Sequence, residues 1–419
     1  MDRLRVLSGH VISRNLHEWQ IDHNPTAANN SPEDIVIVSA LRTPIGKAKR
    51  GSFKDTYPDD LLAAVFKAVI ADVNVSPSDI GDICIGNVGD SRAAVTARFA
   101  QFYSGIPETV PIFTTNRQCS SGLQAVLNVA GSIRNGVCNV GLAGGFESMT
   151  LQNNNTKDIN PRVFEVEKAR DCLIPMGITS ENVAKRFGVS RLKQDQFSVE
   201  SQRRANEAQR NGLFKAEIVP VTTTIKDKAG NEQTITVTKD DGIRPGTTLE
   251  GLGKLRPAFQ ENGSTTAGNS SQVSDGAAAV LLATRSEVAK RGWPVLGVLK
   301  SFAVCGCPPD IMGIGPAVAI PVALKKAGLS VNDIEIFEIN EAFASQALYC
   351  VEKLGIDPVK VNPKGGAIAL GHPLGCTGSR QIATLLHELK RRQKRSYGVV
   401  SMCIGTGMGA AAVFEYPGM

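Results

Sequence analysis

The chain has few aromatics to stack on a base, no paired cysteines to hold a metal, and no apolar run long enough to cross a membrane. Aromatic residues make up 5% of its 419 residues, which leaves few platforms for nucleobases. A net charge of +6 is modest for this length and fits an anionic small ligand better than a nucleic-acid coat. The nine cysteines, at 84, 119, 138, 172, 305, 307, 350, 376 and 403, are odd in number and contain no Cys-x-x-Cys pair. That excludes a disulfide framework and points to free thiols in a reducing compartment. Cys305 and Cys307 lie closest together, but no histidine is near them in sequence, so buried core thiols are expected there and no metal site. No apolar run reaches the roughly 18 residues a membrane span needs. What is present, 42% hydrophobic and 21% charged residues, is ordinary globular composition with length for two or three domains.

Residues 1–33 stand apart, because a basic amphipathic opening runs into the linker Asn24-Pro25-Thr26-Ala27-Ala28-Asn29-Asn30-Ser31-Pro32. Strand patterns follow at 34–38, 82–88 and 138–144, alternating with helix patterns at 59–72, 92–104 and from Cys119 to about 135. Alternation of this kind implies an α/β fold with a parallel sheet. The order then repeats. Ser76-Pro77-Ser78-Asp79-Ile80 before a strand ending near Asn87 parallels Ser330-Val331-Asn332-Asp333-Ile334 before one ending at Asn340, an offset of 330 − 76 = 254. The same offset carries Cys119 into the Gly-rich turn that contains His372. Two equivalent strand-to-helix turns are therefore expected to face one cleft at the carboxyl ends of the strands. The duplication is interrupted between Met149 and about Gln272 by polar and basic helix patterns and a Thr-rich stretch, which read as an inserted subdomain over that cleft.

Three Gly-rich segments carry the reactive side chains. Cys119, in Asn116-Arg117-Gln118-Cys119-Ser120-Ser121-Gly122, precedes a helix whose free N–H groups and positive dipole end favour thiolate, so a lowered pKa is expected. His372, between Gly371 and Pro373, is the only histidine between positions 24 and 386 and is placed to accept a thiol proton. Cys403 leads into Gly405-Thr406-Gly407-Met408-Gly409. Asn340, at the end of a strand, either caps the following helix or reaches the same cleft. Small residues in such turns let backbone N–H groups meet an oxyanion.

These four ordered motifs, with Gly371-His372-Pro373-Leu374-Gly375-Cys376-Thr377-Gly378 as the third, resemble those of the thiolase family from about residue 34 to 416. Met176-Gly177-Ile178-Thr179-Ser180-Glu181 and Thr266-Ala267-Gly268-Asn269-Ser270-Ser271 look closest to the degradative peroxisomal 3-ketoacyl-CoA subgroup. No histidine lies between Gly144 and Asn211, where biosynthetic relatives carry one. The resemblance implies a duplicated α-β-α-β-α layered fold. Its divisions would be a first thiolase domain at 34–148 plus 274–295, a loop domain over the site at 149–273, and a second thiolase domain at 296–419. It implies Cys119 as acyl carrier, His372 as its base, Cys403 as acid and base at carbon, and Asn340 and Gly405 as oxyanion partners. Arg244, Ser271 and Ala267 would contact CoA, while Met312 and Phe343 would line the acyl pocket. CoA and 3-ketoacyl-CoA are the implied partners, with no bound cofactor or metal and a homodimeric assembly.

Arg3-Leu4, five residues, then His10-Val11 resembles the N-terminal peroxisomal signal of that subgroup, implying an import receptor as a further partner. A mitochondrial presequence is the rival reading, weakened by Asp2, Glu18 and Asp22. The run Lys390-Arg391-Arg392-Gln393-Lys394-Arg395 is expected to end a helix in solvent rather than to bind nucleic acid. Two functional readings compete with 3-ketoacyl thiolysis: decarboxylating condensation, whose enzymes pair cysteine with two histidines, and a catalytically silent acyl-CoA or lipid-binding member of the fold.

Overall fold

The computed structural model describes residues 31–152 and 159–418, so the N-terminal signal expected at residues 3–11 lies outside the described residues. The first half begins with β1 (Ile35–Arg42) and the short β2 (Gly46–Lys47), followed by α1 (Pro58–Val73), β3 (Asp82–Gly86), α2 (Ala93–Tyr103), β4 (Ile112–Thr115), α3 (Ser121–Arg134) and β5 (Val140–Ser148). Local chemistry sets these limits. In α1, Pro58 and the acids Asp59 and Asp60 occupy the first turn, and Asn74 closes the helix in the left-handed region at φ 50°.

The chain then leaves the sheet for α4 (Met176–Phe187), α5 (Arg191–Arg210) and the hairpin β6 (Val221–Lys226) with β7 (Glu232–Val237), and returns as β8 (Ser274–Thr284). The second half comprises β9 (Gly297–Gly306), α6 (Gly315–Ala327), β10 (Ile334–Ile339), α7 (Ala344–Leu354), α8 (Leu374–Arg391), β11 (Ser396–Ile404) and β12 (Met408–Tyr416).

Strand order along the sheet path is β10-β11-β12-β9-β1-β8-β5-β3-β4. At its middle, β1 and β9 share only Val36↔Val298 and Ile37↔Gly297, so the path is two half-sheets meeting at a narrow seam. Their orders match. The first reads β4-β3-β5-β8-β1, and the second reads Val361-β10-β11-β12-β9, where Val361 bridges Phe337 in parallel as β4 runs parallel to β3. The repeat read from the sequence is thus a repeat of topology.

Strand alternation divides the core into three seams and the molecule into five layers. Ile35 and Ile37 of β1 join Ala410, Ala412 and Phe414 of β12 in a central seam filled by α3 and α8, including Leu123, Val126, Ile382 and Leu386. Val36 and Val38 point the other way, to α1. Ala411 and Val413 likewise turn out to α6. The two helices that carry the chemistry are therefore sandwiched between the half-sheets.

β5 runs past the 138–144 expected from its apolar pattern. Gly144 and Gly145 remain paired to Ala279 and Ala278 of β8. They are glycine because of a close approach: a Cβ on Gly145 would lie 2.0 Å from the Gly375 carbonyl oxygen. The basic run ends α8 as expected, and its arginines pair with Glu388, Glu335 and Glu415, fastening the helix end to β10 and β12.

Candidate active site

β4 ends at Thr115, and the turn into α3 is tied by serine hydroxyls. Ser120 Oγ donates to the Arg117 carbonyl at 2.9 Å; Ser121 Oγ donates to the Gln118 carbonyl at 2.6 Å and accepts the Arg117 N–H at 2.9 Å. Gln118 is forced into the left-handed region at φ 47°, a strained conformation for a side chain of its size. This places the half-buried Cys119 immediately before the N-cap Ser120. Its sulfur faces the N–H groups of Gly405 and of Cys119 itself. The expected low pKa is absent. Burial pushes the thiol up to about 11, the two N–H groups offset only part of that, and the charge of Glu147 adds to it. Dehydration of the cleft costs a thiolate more than the helix start returns, so Cys119 needs a base beside it.

The counterpart turn carries an imidazole. His372 immediately precedes Pro373, the N-cap of α8, as Cys119 precedes that of α3. Asn340 Nδ2 lies 3.3 Å from His372 Nε2, and an amide nitrogen can only donate, so Nε2 carries the lone pair. Nδ1 then carries the hydrogen and gives it to Thr377 Oγ1 at 2.6 Å. Burial, with the Arg380 charge adding to it, pushes this imidazole down to about 3, so it is neutral at working pH. Asn340 does not cap α7, which begins beyond Phe343; its Oδ1 is buried without a partner.

A buried carboxylate fixes the two turns together. Glu147, at the end of β5, accepts the N–H groups of Val88 (3.1 Å), Gly89 (2.8 Å) and, at the start of α8, Gly375 (2.9 Å). Ser379 Oγ on α8 donates to the Gly122 carbonyl on α3 at 3.0 Å.

Cys403, near the end of β11, packs in one apolar cluster with Met312, Ala342 and Phe343, against which Met176 leans. Phe343 meets Phe259 edge-on, with centroids 6.0 Å apart. Burial holds the Cys403 thiol well above its ordinary range, and the Cys119, Cys350 and Cys307 sulfurs reinforce this. Cys305 and Cys307 are half-buried, not core-buried as expected, because they sit where β9 leaves the sheet.

The remaining expected residues lie outward. The segment holding Ser271 runs beside the start of α7, with the Ser271 N–H on the Ala342 carbonyl at 3.0 Å. Ala267 and Arg244 are exposed and make no recorded contact with the thiols among the described residues. The Arg244 loop is nonetheless anchored next to His372: Gln272 Nε2 donates to the Gly242 carbonyl at 2.8 Å, and the Gln272 carbonyl accepts the His372 N–H at 3.0 Å. Sequence reasoning missed Glu147, Thr377 and Gln346. Glu147 left one signal, an acid inside an otherwise apolar strand. Among the described residues no helix is long and apolar enough to cross a membrane, and no His, Cys, Asp and Glu group is placed to hold a metal.

A duplicated five-layer α/β scaffold that presents a thiol and a neutral imidazole on equivalent turns, with a second thiol alongside, defines a class of two-sulfur enzymes. Residues 35–286 match the thiolase N-terminal domain and residues 293–416 the thiolase C-terminal domain, and the chain belongs to the thiolase family. It is 66% identical to 3-ketoacyl-CoA thiolase A, peroxisomal, of Rattus norvegicus, over 100% of this chain and 98% of that protein. Among solved structures it resembles the dimeric peroxisomal thiolase of Saccharomyces cerevisiae, with TM-score 0.86, 50% identity, 92% of this chain and 98% of that one. It also resembles human mitochondrial 3-ketoacyl-CoA thiolase in complex with CoA, with TM-score 0.81, 40% identity, and the same 92% and 98% coverage.

Proposed function

We propose that the chain is a peroxisomal 3-ketoacyl-CoA thiolase, which uses CoA to cleave 3-oxoacyl-CoA into acetyl-CoA and a shortened acyl-CoA, the last step of fatty acid β-oxidation. The observation that carries this is the neutral His372, its Nε2 lone pair oriented by Asn340, on the turn equivalent to that of Cys119.

Cys119 gives its proton to His372 Nε2 and attacks the 3-keto carbon. The alkoxide meets the N–H groups of Cys119 and Gly405, which already point at that sulfur. The bond between C2 and C3 breaks, leaving the acyl group on Cys119 and an enolate on the departing acetyl-CoA. His372, now protonated, and a water held by the unpaired Asn340 Oδ1 stabilise that enolate, and Cys403 protonates its carbon. The incoming CoA thiol gives its proton to the Cys403 thiolate and attacks the acyl thioester; Cys119 leaves and recovers its proton from His372. One thioester replaces another, so the exchange stays near isoenergetic, where a serine ester would trap the acyl group.

Arg244, Ser271 and Ala267 are read as CoA contacts and Met312 and Phe343 as pocket walls, with the 149–273 stretch covering the bound CoA. The exposure of Arg244 and the CoA complex of the human mitochondrial relative support this. A homodimer is supported by the dimeric yeast relative and by an apolar surface on α2, where Val95, Phe99, Phe102 and Tyr103 lie exposed near the edge strand β4. Replacing Phe99 and Phe102 with aspartate should yield a monomer by sedimentation velocity.

The reaction is tested by loss of 3-ketoacyl-CoA absorbance with and without CoA. CoA-dependent turnover is expected, and its absence at every chain length would overturn the reading in favour of a silent binder. Cys119→Ala should abolish acyl-enzyme formation by intact-mass analysis, whereas Cys403→Ala should still acylate.

A further inference from the structure

Cys403 has to be a thiol when the enolate forms, and the residues behind it point to how that state is kept. Its sulfur lies 3.5 Å from Gln346 Oε1, a buried amide in the first turn of α7. At its other end, Gln346 Nε2 lies 3.4 Å from Thr179 Oγ1 on α4. Thr179 has one hydroxyl hydrogen, and it is committed to the Met176 carbonyl at 2.7 Å. Toward Gln346 the hydroxyl can therefore only accept, so Nε2 must be the end that faces it and Oε1 the end that faces sulfur. Gly313 fixes where the side chain lies, since a Cβ there would stand 2.2 Å from Gln346 Cγ, and leaves Thr179 to decide which end of the amide faces sulfur. A carbonyl oxygen can accept from S–H but offers nothing to a thiolate. The titratable groups facing Cys403 are the thiols of Cys119 ahead of α3, Cys350 on α7 and Cys307 beyond β9, and none of them brings a positive charge.

We infer that Gln346 is the positioning residue for the second sulfur: with its orientation set by Thr179, its carbonyl oxygen accepts a hydrogen bond from the Cys403 S–H and keeps the resting group a thiol. The relay from Met176 through Thr179 and Gln346 to Cys403 then sets how readily carbon is protonated and how readily CoA is deprotonated.

The test uses the full chain carrying Cys119→Ala, with modification of Cys403 by iodoacetamide followed across pH by peptide mass spectrometry. Thr179→Val frees the amide to present N–H to the thiolate, and the midpoint of the profile should fall by about one pH unit. Gln346→Glu places a carboxylate there, and the midpoint should rise by about one unit or more. Thr179→Ser keeps the hydroxyl and should match the parent. Midpoints that stay fixed, or that move in the same direction in Thr179→Val and Gln346→Glu, overturn the proposal. So does faster modification at every pH with an unmoved midpoint, which is loosened packing alone. The inference rests on Cys403 as the proton carrier in thiolysis, yet the two fail separately: turnover with CoA tests that reaction, and the alkylation midpoint tests this amide.

Discussion

Thr377 holds His372 in the tautomer that Asn340 sets. By accepting the Nδ1 hydrogen at 2.6 Å it keeps the lone pair at Nε2, the atom proposed above as the base, and the low pKa set by burial keeps that nitrogen unprotonated. Thr377→Val should therefore lower kcat by about 10- to 100-fold with KM largely unmoved, while Thr377→Ser should restore most of the rate; steady-state thiolysis checks both. At this scale the sequence disclosed reactive atoms better than their support. Cys119 and His372 stood out because a thiol and a lone imidazole occupied Gly-rich turns where packing does not ask for them. Thr377 and Gln346 are common residue types inside helix patterns, and only their orientation in space gives them a role. The ionisation of Cys119 was misread for a related reason. Its position before a helix is local and visible, whereas the burial that raises it to about 11, with the charge of Glu147 adding to it, exists only once distant segments have packed together.

Two helices in one layer, each starting at a reactive residue, have to cross closely for their first turns to share a cleft. Glycine makes that possible where α8 passes β5 and α3. Beyond the Gly145 contact, a Cβ on Gly122 would stand 2.6 Å from the Gly375 carbonyl oxygen. Gly145→Ala should thus destabilise the protein by about 1–3 kcal/mol through overpacking against backbone, seen as a lower apparent Tm and a loss of activity. Gly131, inside α3, is the control, because a Cβ there would meet nothing within 4 Å. Alanine at that position should be neutral or stabilising by up to about 1 kcal/mol, because it restricts the unfolded chain and favours helix. The element pattern was legible because strand and helix periods differ plainly along this chain. The end of β5 was not: the glycine pair interrupts the apolar pattern, and only the neighbouring α8 shows that it serves close approach.

Across the whole molecule, the 149–273 stretch is fastened to both halves through a buried ionic cluster. Glu217 accepts from Arg42 of β1 at 2.7 Å and from Lys364 at 2.7 Å, and Thr384 of α8 adds a hydrogen bond at 2.8 Å; Arg42 also binds Asp240. The duplication was readable from repeated motifs, but this fastening was not, since its charged members pair across 147 to 198 residues and look like ordinary surface charges. Burial alone would raise Glu217, yet Lys364 and Arg42 outweigh it and hold the carboxyl down at about 2. With the folded pKa below the unfolded value near 4.5, this group stabilises the fold fully above that value. The contribution declines as pH falls through 4.5 and is gone only at about 2. His372 opens an earlier window, because an imidazole depressed to about 3 draws protons to the unfolded chain once pH drops below its ordinary 6.5. Glu338, raised to about 7 by burial despite Arg380, has the opposite sign: its folded carboxyl stays protonated while the unfolded one ionises, so its stabilisation is lost between 4.5 and 7 as pH rises. Glu217→Gln should accordingly lower the apparent Tm at neutral pH, where Lys364 and Arg42 lose a charge partner in a buried site, at a cost of about 3–5 kcal/mol. The same variant should show a flatter decline of Tm below pH 4.5 than the parent, and thermal melts recorded across that range check both halves of the argument. Equal slopes in the two proteins would mean that Glu217 is not what ties this stretch down.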